Sequence, residues 1–220
     1  MPITIELPEL AAQTKFNLAR WTEILADTEL AKLSYRVETD QHGHLVMTPP
    51  SAPIHGNRQG RIGALLLQLL PDGEIFTECP ISTAGGVKAA DVAWIAPDRR
   101  ENLAELVLFE LAPEICVEVL SPSNSPVEIG EKRALYFDAG ATEVWICNLD
   151  GSMSFFVGPG HLQSSTSIVC LSFPPGFPSR RVDTILTVRQ SNRCVFVRFA
   201  SDPLLRKPFF PRQLDGFEPR

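Results

Sequence analysis

Three residues in this 220-residue chain could do chemistry together: Asp91, Glu118 and Lys132. Asp91 opens the apolar run DVAWIA, and Glu118 sits late in the run EICVEVL. Strand alternation along the second run puts Ile115, Val117 and Val119 on one face, with Cys116, Glu118 and Leu120 on the other. Both faces are apolar around Glu118, the pattern of a strand covered on both sides. Asp91 is placed alike, with Ala93 and Ile95 as its same-face neighbours. An ionised carboxylate in such a place is costly unless it is paired or binds a metal. If the two runs pair antiparallel, the start of one lies beside the end of the other. The carboxylates then meet at one edge of the sheet, although 27 residues separate them. Such a pair suits a hard divalent cation such as Mg2+.

The amine comes from the next element. Residues 121–126, SPSNSP, form a turn run, and a helix is expected over about 127–139, closed by Gly140. Lys132, Leu135, Tyr136 and Ala139 have the spacing of one helical face, so Lys132 belongs to the inward stripe. A lysine reaching toward two metal-binding carboxylates can hold a nucleophilic water or neutralise charge developing on a phosphate. Plainer roles exist for each residue. Asp91 could bond the Gly85-Gly86 turn, Glu118 could form a buried ion pair with Lys132, and Lys132 could pair with Glu128 at i−4.

In this order Asp91, then EVLSPS from Glu118, then Glu131-Lys132-Arg133 and Tyr136, then Ala139-Gly140 and EVWI from Glu143 resemble the Uma-type family. That family consists of restriction-endonuclease-like proteins within the PD-(D/E)XK nuclease superfamily. The resemblance covers roughly residues 20 to 187 and is most specific in EVLSPSN and EKRALYFDAGATEVWI. It implies that Asp91 and Glu118 are Mg2+ ligands, that Val119 supplies a backbone carbonyl, and that Lys132 is the catalytic lysine; Mn2+ is an alternative cation. The sequence departs from the superfamily signature twice. Ala90 stands where proline precedes the aspartate, and Leu120 stands two residues after Glu118 where the signature has lysine. Lys132 on the helix would take over that missing lysine's role.

Composition bounds the rest. The chain is 44% hydrophobic and 21% charged, ordinary for one soluble globular domain. Its five cysteines are scattered without a CxxC pair, which argues for a reducing cytoplasm and against a zinc site. No apolar stretch approaches the length of a membrane span, and no signal-peptide pattern opens the chain. Net charge is −6, and residues 189–220 hold seven Lys/Arg against three Asp/Glu, leaving the remainder near −10. Nucleic-acid binding usually leaves a basic footprint, so any DNA-binding cleft must differ locally from this average.

In chain order, residues 1–16 read as a flexible terminus and about 17–32 as an amphipathic helix. SYRVETDQHGHLVMTPP reads as a β-hairpin turning at Gln41-His42-Gly43. Glu38 lies in its first strand, where an exposed glutamate is the plain reading; in the resembled family an acidic residue near this point often belongs to the site. A helix over about 54–70 carries the stripe Ile62, Leu65, Leu66, Leu69. His55 sits at its start, where local bonding is usual, and the resemblance includes a histidine there that could orient a phosphate or a water. Strands are expected at 74–82, 143–148, SMSFFV and near 167–171. Residues 97–113 are a long connection that could pack as a short helix or cross the site. CVFVRFA could add a strand, and the last 18 residues hold four prolines without a period.

The expectation is an α/β fold, a mixed, twisted sheet flanked by helices around a restriction-endonuclease-like core. It has a flexible terminus (1–16), a single nuclease-like domain (17–187) and a C-terminal extension (188–220). Its expected activity is Mg2+-dependent DNA phosphodiester hydrolysis by a cytoplasmic homodimer. Two other classes compete: a non-catalytic module binding nucleic acid or protein through the same cleft, and a hydrolase of small phosphates, which suits the acidic balance.

Overall fold

The computed structural model describes residues 10–99, 103–158, 162–177, 188–190 and 193–195. The chain forms two compact units divided after Ser179. The first holds helices α1 (Leu10–Ala26), α2 (Pro53–Leu69) and α3 (Pro126–Asp138). Its strands are β1 (Arg36–Thr39), β2 (Leu45–Thr48), β3 (Glu74–Thr83), β4 (Gly86–Ile95), β5 (Ile115–Val119), β6 (Glu143–Cys147), β7 (Met153–Val157) and β8 (Leu162–Ser164). In the second unit, β9 (Val188–Gln190) and β10 (Arg193–Val195) pair antiparallel. Residues 196–200 of the expected strand CVFVRFA lie outside the described residues.

The main sheet has the order β3-β4-β5-β6-β7-β8. Only β5 and β6 run parallel, because α3 carries the chain back across the sheet between them. Helices cover both faces, as the double-sided apolar pattern of β5 requires. On one face Ile62 and Leu66 of α2 pack on Val92, Val117 and Trp145; on the other Tyr136 and Phe137 of α3 pack on Ala93, Cys116 and Ile146. Ile62 and Leu66 are completely buried, and each contributes ~1.5–3 kcal/mol of transfer free energy. α1 sets Trp21 and Ile24 against Val87 and Leu108.

Local signals account for the boundaries. Ser125 caps α3 by accepting the Glu128 N–H at 3.1 Å, Pro126 occupies the first turn, and Gly140 ends the helix at φ +103°. The expected hairpin is β1–β2, and α2 falls within a residue of its expected span.

Three expectations are corrected. The first helix begins at Leu10 rather than at 17, so residues 10–16 are not a loose terminus. Gln13 and Asn17 extend its buried face: Gln13 reaches Asn17 and the Gln41 carbonyl, and Asn17 reaches Ser82 and Thr83. Polar residues hid that face from an apolar pattern. The helix also stops at Ala26, and only a short 3-10 turn covers Leu30–Lys32. Residues 167–171 form no strand. There the Ser167 hydroxyl and the Ile168 N–H donate to the buried Glu143 carboxylate instead of to a ladder, and the strand lies earlier, at Leu162–Ser164. The connection over 97–113 holds two 3-10 turns among its described residues, and Phe109 exchanges backbone bonds with Pro80 and Ser82 of β3.

Candidate active site

β4 and β5 pair antiparallel through Val92↔Val117, Ala93↔Cys116 and Trp94↔Ile115. Continuing that register by one residue puts Asp91 opposite Glu118, the expected meeting, but β4 already begins at Gly86, so Asp91 lies mid-strand and the pair sits between β3 and β6 rather than at an edge of the sheet. Both carboxylates are buried, at 1% and 4% exposure. Lys132, on the first turns of α3, reaches both oxygens of Glu118 at 3.4 and 3.5 Å. It forms the buried ion pair with Glu118 and does not pair with Glu128.

The hairpin supplies the rest. β4 has ten residues and β5 only five, so the first half of β4 has no β5 partner. The hairpin fills that gap. The Val87 N–H donates to the Thr39 hydroxyl and the Ala89 N–H to Glu38 Oε1, while the Arg36 guanidinium donates to the Ala89 carbonyl. Glu38 is therefore buried rather than an exposed strand residue, and it accepts from Lys132 Nζ at 2.7 Å. This approach requires glycine at position 86. Its φ is +97°, and a Cβ there would lie 2.3 Å from the Asp40 carbonyl oxygen.

Arg36 occupies the centre of the cluster. Its Nη1 donates to Asp91 Oδ1 at 2.5 Å, and its Nε lies 3.0 Å from Glu78 Oε2. Asp91 Oδ2 accepts the Val119 N–H at 2.6 Å and lies 3.3 Å from His55 Nε2. His55 thus bonds across to the sheet from the start of α2, and its Nδ1 is buried without a partner. Tyr136, one turn after Lys132, donates its hydroxyl to Glu118 Oε1 at 2.6 Å. Glu78 stands opposite Asp91 on the other side, and at φ +51° it is the non-glycine residue in the left-handed region among the described residues. That conformation costs ~1–2 kcal/mol, and it interrupts the β3–β4 ladder beside the carboxylates.

Each charge state has a cause. Burial pushes Glu118 up to about 7, aided by Asp91 and opposed by Lys132, Arg36 and the Tyr136 hydroxyl. Burial also works against charge on Asp91, but His55, Arg36 and the Val119 N–H outweigh it and hold the carboxyl below its ordinary value. Glu38 is likewise lowered, burial being outweighed by Lys132, Arg36 and the Ala89 N–H. Burial disfavours the Lys132 ammonium, yet Glu118 and Glu38 raise its pKa overall. The bond to Asp91 raises His55 above the usual imidazole range. Lys132 is therefore a cation at neutral pH, while Glu118 is poised to titrate there.

A sequence model described as "Putative restriction endonuclease", that of Uma2, matches residues 25–174. The chain belongs to the Uma2 family. A nuclease-like function follows from that membership. Among solved structures, a crystal structure described as a "putative nuclease belonging to DUF820" from Anabaena variabilis ATCC 29413 superposes with a TM-score of 0.53. It covers 66% of this chain and 82% of its own at 16% identity, a likeness of fold. No curated protein matches.

The Uma2 match contains Glu38, His55, Asp91, Glu118, Val119 and Lys132, and the structure brings all six together. Sequence reasoning missed Arg36, Glu78 and Tyr136. A signal existed for two of them: Arg36 shares a strand face with Glu38, and Tyr136 shares the helical stripe of Lys132. Nothing local marked Glu78.

For the divalent cation that the sequence resemblance leads one to expect, the donors fit in kind. Asp91 and Glu118 present hard oxygen donors on adjacent strands. Mg2+ typically keeps several waters and takes only one or two protein carboxylates, so a third acidic ligand is not required. Among the described residues no three His, Cys, Asp or Glu groups converge as a full protein cage. The positive charge next to the carboxylates comes from Arg36 and Lys132.

Proposed function

We propose that this protein hydrolyses phosphodiester bonds in DNA with a divalent cation, Mg2+ or Mn2+, held by Asp91 and Glu118 with the Val119 carbonyl. The observation that carries this reading is the meeting of two buried carboxylates, opposite in register, with a buried lysine 3.4 Å from Glu118, on a chain of the Uma2 family. When bound, the cation would polarise the phosphate and lower the pKa of a ligated water.

The chain's own residues do the remaining work. Lys132 is held charged by Glu118 and Glu38, so it cannot accept a proton; it orients the attacking water or offsets charge growing on the phosphate oxygens. Glu38 aims that ammonium from the hairpin side. The Tyr136 hydroxyl fixes Glu118 Oε1, and the Val119 N–H fixes Asp91 Oδ2, so both carboxylates are oriented before substrate arrives. Arg36 and His55 put two more donors beside Asp91, suited to a phosphodiester of the strand. Both strands of a duplex are most simply cut by two such sites, so we infer a two-fold homodimer.

Plasmid cleavage in Mg2+ or Mn2+ tests the reading. Wild type should cut, while Lys132→Ala should lose activity by at least about 100-fold, the scale of a lost charge-stabilising group. Cleavage undiminished in Lys132→Ala would remove the lysine from the chemistry. DNA binding without cleavage in any metal would instead favour the non-catalytic module.

A further inference from the structure

An open cavity of about 330 Å³ reaches Arg36, the partner of Asp91, and is walled by α1, the chain leading into β1 and β3 at Glu78. Trp21, Leu25 and Tyr35 give it two aromatic rings and an apolar wall, and Arg36 and Glu78 give it a polar side. Its volume is at the small end of ligand sites, which run ~300–1,000 Å³, and its pattern is theirs: mostly apolar with a few convergent polar groups. Three further observations point to a ligand. Trp21 is buried at 7% exposure, and its indole N–H has no acceptor. The Glu78 carboxylate, held at φ +51°, bonds Gln59 at 2.7 Å yet stays half exposed. Arg36 lines the cavity and also touches Asp91, so cavity and carboxylates share a side chain.

We propose that this cavity receives one nucleobase of the strand being cut, unstacked from its neighbours. The proposal rests on the nuclease reading above for the strand's identity. Aromatic and aliphatic walls match the faces of a base, and donors and acceptors at one side match its edge. Glu78 can only accept, and an exocyclic amino group offers it two N–H donors against the single imide N–H of thymine, so adenine and cytosine fit better than thymine. A base paired within a duplex cannot enter. The site therefore prefers single strands, or duplexes in which a base is easily extruded.

Fluorescence anisotropy with the full chain, without divalent metal, tests this directly. The probes are end-labelled single strands of adenine, cytosine or thymine nucleotides, a matched duplex, and an all-abasic strand of equal length and charge. Wild type should bind the adenine and cytosine strands about tenfold tighter than the abasic strand. Leu25→Gln and Tyr35→Ala change exposed positions at 60% and 49% exposure without altering charge. Both should erase that tenfold difference while leaving abasic-strand affinity within about twofold. Equal affinity for base-bearing and abasic strands, or an unchanged difference in both variants, would overturn the cavity proposal. Plasmid cleavage run in parallel separates the two readings. Cleavage with no base dependence overturns the cavity alone. Base-dependent binding lost in the variants, without cleavage in any metal, keeps the cavity and overturns the nuclease reading.

Discussion

Glu118 and Lys132 share one buried volume, and their charges are coupled. Glu118 titrates near 7 in the fold against 4.5 for the free carboxyl, so the folded state holds its proton longer. The stability from that protonated form is complete below about pH 4.5 and is lost as pH rises to about 7. In metal-free buffer, wild type should therefore lose up to ~3 kcal/mol across that window relative to Glu118→Gln, measured by urea denaturation at stepped pH. Parallel curves would contradict the shift. Asp91 has the opposite sign, and its contribution disappears only as pH falls below its ordinary value of 3.8. Lys132→Met should cost ~3–5 kcal/mol, because Glu38 and Glu118 would be left buried without their cation. Adding Glu38→Gln should recover part of that loss; strict additivity in the double-mutant cycle would deny the coupling. The core triad was legible at this scale because carboxylates inside apolar strands are costly and so conspicuous. Glu38 was legible only through the family resemblance, because its burial depends on β4 outrunning β5, a tertiary fact with no signature in RVET.

The hairpin is the element on which the site depends. It carries Arg36 and Glu38 and docks on the unpaired half of β4 through Thr39 and Glu38. Gly86→Ala forces a Cβ into the Asp40 carbonyl at a positive φ, so it should destabilise by more than ~1 kcal/mol and weaken metal binding by displacing Glu38 and Arg36 together. Denaturation and calorimetry on one sample check both effects; lost stability with unchanged metal affinity would show that the hairpin does not position the carboxylates. Ser125→Ala, which removes the cap of α3, should cost about 1 kcal/mol by the same denaturation assay and leave the β4–β5 register intact. The sequence announced β5, α3 and β6 by apolar runs, cap and glycine. It concealed the start of α1 and the loop at 167–171, because polar side chains such as Gln13, Asn17 and Glu143 hold those parts.

At the scale of the molecule, the sheet holds β4 and β5 side by side between β3 and β6, and α2, α3 and the hairpin each bring a side chain to the carboxylates they carry. The formal charge of −6 does not describe this region, where Arg36, Lys132 and His55 meet three buried acids. The described residues contain no helix long and apolar enough to cross a membrane. A two-fold dimer should convert supercoiled plasmid directly to linear product, whereas single sites acting alone should accumulate nicked circles; sedimentation at working concentration checks the oligomer itself.

The central claim is a single cation site shared by Asp91 and Glu118. Calorimetric titration of Mg2+ or Mn2+ into wild type, Asp91→Ala and Glu118→Ala tests it most directly. One site in the wild type, lost in both variants, is the result this account predicts. Binding retained in either variant, or none in the wild type even with DNA present, would contradict it.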